Sequence, residues 1–235
     1  MKNKMTIYEH FAELRGRILC VIGFFVCAFI FGWVVSPFIQ GFITAPLIGV
    51  WDDAQLLYTG ITDGLMIRLS LSTLVALLFS VPIALWQIWA YIAPGLHRKE
   101  KKFIIPIFVL SPLLFIGGAA FAFYILLPGV FSFFIDLNLD TPVPAVLMPD
   151  MRDFIGFSIG LLKVFGLAFQ LPLVLVLLNR IGVLSRERVL ASRRYAIVFI
   201  VIIAAVLTPP DVVSQLLLAL PMWALFEASI LFMKK

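Results

Sequence analysis

The chain has 235 residues, 63% of them hydrophobic and 13% charged, with a net charge of +5. Soluble domains are near half apolar and a quarter charged, and a globule of this size cannot hide such an excess inside, so lipid is the solvent for most of the chain. The positive balance speaks for topology rather than for nucleic acid, because Lys and Arg gather on the cytoplasmic side of membrane proteins.

In chain order, six stretches are read as spans: residues 18–37, 65–88, 103–131, 154–178, 195–207 and 212–233. The expected fold is all-α, a single polytopic membrane domain over residues 1–235 with six transmembrane helices. The first stretch is long and stays apolar through Trp51, so it is read as a retained helix and not as a cleaved signal. Cys20 and Cys27 lie in it; on a helix they are roughly 10 Å apart in rise, too far for a disulfide. The fifth stretch is short, about 20 Å of helix against a hydrocarbon core of about 30 Å. It needs polar flanks or a thinned bilayer; a re-entrant pair with the sixth is the alternative.

The loops divide sharply by charge. Segments 1–17, 92–102, 179–194 and the tail hold 15 Lys and Arg, whereas segments 38–64, 132–153 and 208–211 hold only Arg152 and eight aspartates. That pattern puts both termini in the cytoplasm, in agreement with six crossings. Pro82, Pro106, Pro112, Pro172 and Pro221 fall inside spans. Each removes a backbone hydrogen bond and bends its helix, which predicts a curved bundle with a concave face.

Enzyme chemistry has no visible basis. The chain has no P-loop and no His-Glu-x-x-His. His10 and His97 lie in cytoplasmic segments, not within spans where a haem would want them. No metal site and no cofactor are expected. Lys163, Gln170 and Glu227 are polar residues within spans, where such residues mark function or reach for water. Lys163 and Gln170 are seven apart and share a helical face. A solute transporter would use these three, but no internal repeat supports one. Pro46 in the first outer loop and Pro209, Pro210 and Asp211 in the last are read as structural turns, Asp211 capping the sixth helix.

Two cytoplasmic segments ask for more than topology. One reads Tyr8-Glu9-His10-Phe11-Ala12-Glu13-Leu14-Arg15-Gly16-Arg17 and is expected to lie as an amphipathic helix at the interface. The other reads Trp86-Gln87-Ile88-Trp89-Ala90-Tyr91-Ile92-Ala93-Pro94-Gly95-Leu96-His97-Arg98-Lys99-Glu100-Lys101-Lys102. Arg15 and Arg17 serve as anchors and the aromatics as an interfacial belt; neither role explains Glu13. Together these segments resemble the TatC family, which carries His-Leu-x-Glu-Leu-Arg-x-Arg at its start; here Phe11 replaces the Leu. Its Trp-x-Phe-x-x-Pro-x-Leu segment is matched with Tyr91 in place of Phe. Ala45-Pro46-Leu47, Phe165-Gly166-Leu167-Ala168-Phe169-Gln170-Leu171-Pro172 and Leu207-Thr208-Pro209-Pro210-Asp211-Val212-Val213-Ser214-Gln215 match as well. Gln170 is a departure, since the family most often has Glu there.

The resemblance implies the core receptor subunit of the twin-arginine translocase in the bacterial inner membrane. It would bind twin-arginine signal peptides at the cytoplasmic face. With single-span TatA- and TatB-type partners, in an oligomeric complex, it would export folded proteins on the proton-motive force. The chemistry is consistent: arginines want carboxylates, and Arg–carboxylate pairs are short and strong. Glu13 and Glu100 are acids set in basic segments and are the expected arginine ligands. Tyr91, Trp89 and Arg17 complete the expected peptide site; Gln170, Lys163 and Glu227 are the expected partner-contact or intramembrane polar positions.

Overall fold

The structure is a computed structural model describing residues 7–51, 55–92, 98–139, 148–208 and 212–234. These residues are helical throughout apart from turns and one isolated bridge. That is the backbone solution lipid demands, because a helix satisfies its own N–H and C=O groups.

Helix α1 (Ile7–Ile48) runs for 42 residues, about 63 Å, twice the hydrocarbon thickness. The expected interfacial N-terminal segment is therefore continuous with the first span. Pro46 is also corrected, from a loop turn to the last turn of α1. The helical turn continues past it, with Gly49 N–H donating to Ala45 O at 2.9 Å and Trp51 N–H to Leu47 O at 2.9 Å.

Helix α2 (Asp63–Ile92) opens on an aspartate and contains Pro82. Helix α3 (Arg98–Phe121), with Pro106 and Pro112 inside, passes through a π-helical turn (Ala122–Leu126) into α4 (Leu127–Leu139). The wide turn ends where Pro128 supplies no N–H, and the Leu127 N–H reaches back to Ala122 O. It also carries Phe123 onto Phe42 of α1, ring centroids 4.4 Å apart.

The expected fourth span is broken. Helix α5 (Met151–Ala168) stops at Phe169 and Gln170, and α6 (Leu171–Arg180) restarts with Pro172 in its first turn. Proline disfavours helix in the residue before it and is tolerated only near a helix start. A turn with Gly182 at φ +78° leads to the short α7 (Arg186–Ala191), capped by Ser185, then to α8 (Arg193–Leu207) and α9 (Val212–Phe232).

Among the described residues, five stretches are long and apolar enough to cross a bilayer: Phe11–Ile48, Asp63–Ile88, Val109–Leu137, Met151–Arg180 and Val212–Phe232. The chain is a multi-pass helical membrane protein. Helix α8 has 15 residues, about 22 Å, and is not among the five.

Helix α1 lies along α2, α3 along α5, and α9 against α6 and α8. The α3–α5 crossing is close because both helices offer glycine. A Cβ at Gly118 would stand 2.4 Å from Phe165 O, and one at Gly166 would stand 2.8 Å from the Phe115 ring. Leu71, Leu127, Ile155, Leu161, Phe165 and Leu218 are fully buried at the centre.

The two ends of the bundle differ in charge. At the acidic end, Leu57 N–H donates to Pro149 O and Met151 N–H to Leu57 O, tying the segment after α1 to the start of α5. Thr59 donates to Asp150, the Asp63 carboxylate accepts from the Gly60 N–H, and Arg152 pairs with Asp63 at 3.5 Å. The Thr59 hydroxyl, aided by the Asp153 and Arg152 N–H groups, holds the Asp150 carboxyl below the usual carboxylate range. At the basic end, the start of α1 meets the end of α2, and Lys234 meets Asn179 at the end of α6. Both ends of the described chain thus lie at the basic end.

Candidate functional site

The basic end carries a site built where α1 and α2 converge. Glu13 and Arg17 are one turn apart on α1, and i, i+4 spacing puts them on one face. The Arg17 guanidinium donates to Glu13 Oε1 through Nε at 3.1 Å and Nη2 at 2.5 Å. Its Nη1 donates to Gln87 Oε1 at 2.9 Å and its Nη2 to Ala90 O at 3.2 Å, both on α2. The two side chains are 23% and 25% exposed, so water screens this pair less than it would a surface ion pair. Ala90 O is available for a reason visible in the chain: the residue four on is Pro94, which has no N–H to give it.

Beneath the pair lies an apolar groove of about 390 Å³, lined by Leu14, Ile18, Val21, Ile22, Ile88 and Tyr91 among others, with Arg17 and Gln87 at its polar edge. Tyr91 is half-buried. A carboxylate paired with the arginine that edges an apolar groove suits a ligand with a cationic head and an apolar flank.

The other expected residues are placed as follows. Trp89 lies in the last turns of α2 and Glu100 in the first turn of α3; their side chains lie outside those described. Gln170 is buried in the break between α5 and α6. It accepts from Ser111 Oγ at 2.7 Å and donates through Nε2 to Ser111 O at 2.8 Å. Glu227 on α9 pairs with Arg193 at the start of α8, 2.7 Å apart. Lys163 is half-buried on α5. Gln170 and Glu227 are thus held by different partners and do not converge on one site. Pro209, Pro210 and Asp211 lie outside the described residues. Sequence reasoning missed Gln87, Ala90 and Ser111; Pro94, which has no N–H to offer the Ala90 carbonyl, was the signal there, and no sequence signal marked Ser111.

Fold and site define a multi-pass helical membrane protein with a half-buried carboxylate–arginine pair and an apolar groove at its basic end. The family model for Sec-independent protein translocase protein (TatC) matches residues 9–221. A Desulforapulum autotrophicum protein of that name is 34% identical over 98% of this chain and 84% of its own length. The Haemophilus influenzae protein is 39% identical over 96% of this chain and 87% of its own, and the Escherichia coli protein 33% over 99% and 89%. Two solved structures of the twin-arginine translocase receptor TatC, both 32% identical, superpose with TM-scores of 0.85 and 0.87; they cover 95% and 97% of this chain and 97% and 100% of their own. The chain belongs to the TatC family, a component of the Sec-independent, twin-arginine protein translocase.

Proposed function

We propose that this chain is the receptor subunit that binds twin-arginine signal peptides at the cytoplasmic face of a bacterial inner membrane. The supporting observation is the Glu13 carboxylate, paired with the Arg17 that edges the apolar groove. Glu13 and Glu100 take the two arginines, and Tyr91 and Trp89 line the path of the peptide's apolar stretch. The basic end faces the cytoplasm with both termini, and α8 is the short fifth of six crossings. TatA- and TatB-type single-span proteins complete the oligomeric complex, and the proton-motive force drives export of the folded cargo. The chain itself binds and assembles; it does no covalent chemistry.

The test is photo-crosslinking of a twin-arginine signal peptide to the purified chain. Crosslinks fall with Glu13→Gln and with Glu100→Gln, and with Lys-Lys in the peptide. Crosslinking indifferent to all three changes refutes the receptor role.

A further inference from the structure

The Glu13 site is already occupied by a guanidinium of the chain itself. All three nitrogens of the Arg17 head donate, to Glu13 Oε1, Gln87 Oε1 and Ala90 O. Each acceptor is there for its own reason. Glu13 is one helical turn before Arg17. The Ala90 carbonyl lies in the last turn of α2 with Pro94 four residues on, at the negative end of the helix dipole. The Gln87 amide turns its oxygen to the guanidinium at 2.9 Å while its Nε2 donates weakly to Cys20 Sγ at 3.7 Å. These three groups present oxygen acceptors from two helices to one planar cation. A guanidinium fork spans such a set; an ammonium is a point charge and cannot reach all three in one plane.

We infer that Glu13, Gln87 and the Ala90 carbonyl form a guanidinium cradle in which Arg17 is a resident stand-in, and that a signal-peptide arginine binds by exchanging with it. This rests on the receptor reading above. Gln87 and Ala90 then become the groups that select arginine over lysine, since a carboxylate alone attracts both. Exchange also keeps the site from standing empty. A bare half-buried carboxylate would carry a desolvation cost, whereas the displaced Arg17 head moves only to the adjacent water. The groove beside Arg17 receives the residues that follow the incoming arginine.

The experiment is equilibrium binding of a fluorescent twin-arginine peptide to the full chain in detergent, for wild type, Arg17→Ala, Arg17→Lys and Gln87→Leu. With the stand-in removed, Arg17→Ala binds the peptide roughly tenfold tighter, the scale of one charged hydrogen-bond pair no longer competing. Arg17→Lys binds more tightly too, because an ammonium leaves part of the cradle unfilled. In Gln87→Leu the preference for Arg-Arg over Lys-Lys peptide shrinks. Low-millimolar ethylguanidinium raises the melting temperature of Arg17→Ala and ethylammonium does not; wild type responds to neither. Folded Arg17 variants that bind the peptide no better than wild type make Arg17 a structural tie between α1 and α2 and overturn the inference. If Arg17→Ala does not fold, Arg17→Lys, which keeps the charge, decides. If wild type binds no peptide, the receptor reading falls, and the guanidinium–ammonium comparison still decides the cradle.

Discussion

Replacing Gln170 with Leu tests whether the break between α5 and α6 is held from α3. Gln170 sits where Pro172 forbids a continuous helix, and its amide makes two bonds to Ser111, at 2.7 and 2.8 Å. Ser111 immediately precedes Pro112, so both partners lie at proline-disturbed points of their helices. Hydrogen bonds between helices in membranes contribute about 0.6–2 kcal/mol each. Leu is close to Gln in volume and suits the apolar surroundings, so Gln170→Leu costs about 1–3 kcal/mol rather than the full sum. The assay is unfolding in mixed micelles by titration with a denaturing detergent, on wild type, Gln170→Leu, Ser111→Ala and the double variant. Ser111→Ala removes only the hydroxyl bond, so the cycle reports that bond alone, about 0.6–1 kcal/mol of coupling. A coupling within about 0.3 kcal/mol of zero would refute the reasoning. Gln170→Glu, the family's usual residue, keeps both contacts as the neutral acid, whose hydroxyl donates to Ser111 O; the ionised form has no donor for that carbonyl.

Two further predictions concern packing and pH. Gly118→Ala puts a methyl group 2.4 Å from Phe165 O, a backbone atom that cannot step aside; the crossing must open, costing about 1–3 kcal/mol or more, read as a fall in melting temperature in detergent. A melting temperature equal to wild type would mean the α3–α5 crossing is looser than described. The Asp150 carboxyl is held below its usual range first by the Thr59 hydroxyl. Its contribution is therefore fully present above the ordinary carboxylate range and is lost as pH falls through the lowered folded value. Asp150→Asn flattens the acid limb of melting temperature against pH, and an unchanged limb assigns the acid sensitivity elsewhere.

The spans were legible because lipid turns apolar length into a direct signal. The five long crossings lie over stretches read from composition alone, and Pro82, Pro106, Pro112 and Pro221 fall inside helices as expected. Three features were not legible, for identifiable reasons. Pro46 reads as a turn residue, yet tertiary burial of Ile43, Thr44 and Leu47 keeps its turn helical. The π-helical turn depends on Pro128 together with the stacking of Phe123 on Phe42, a contact between residues 81 apart in sequence. The Gln170–Ser111 pair depends on α3 and α5 crossing at Gly118 and Gly166, and polarity within a span names neither the partner nor the direction. At the basic end, Glu13 stood out as an acid among bases, but its three-way sharing of Arg17 with Gln87 and Ala90 needs the angle at which α1 meets α2.

Two of the described sets of interhelical polar contacts share no residue. One joins α1 to α2 through Arg17, Glu13, Gln87 and Ala90; the other joins α3 to the α5–α6 break through Ser111 and Gln170. Without common partners, perturbations of the two should add. Glu13→Gln weakens the first unit by removing the charge opposite Arg17, and Gln170→Leu weakens the second. The stability loss of the double variant is therefore expected to equal the two single losses together, within about 0.5 kcal/mol. Additivity would make the peptide site a local fixture of α1 and α2, able to exchange one guanidinium for another without disturbing the proline-broken half of the bundle. A larger deviation would show that α3, whose first turn carries Glu100 and whose middle carries Ser111, moves as one body with both. Occupancy of the basic end would then be felt at the α5–α6 break.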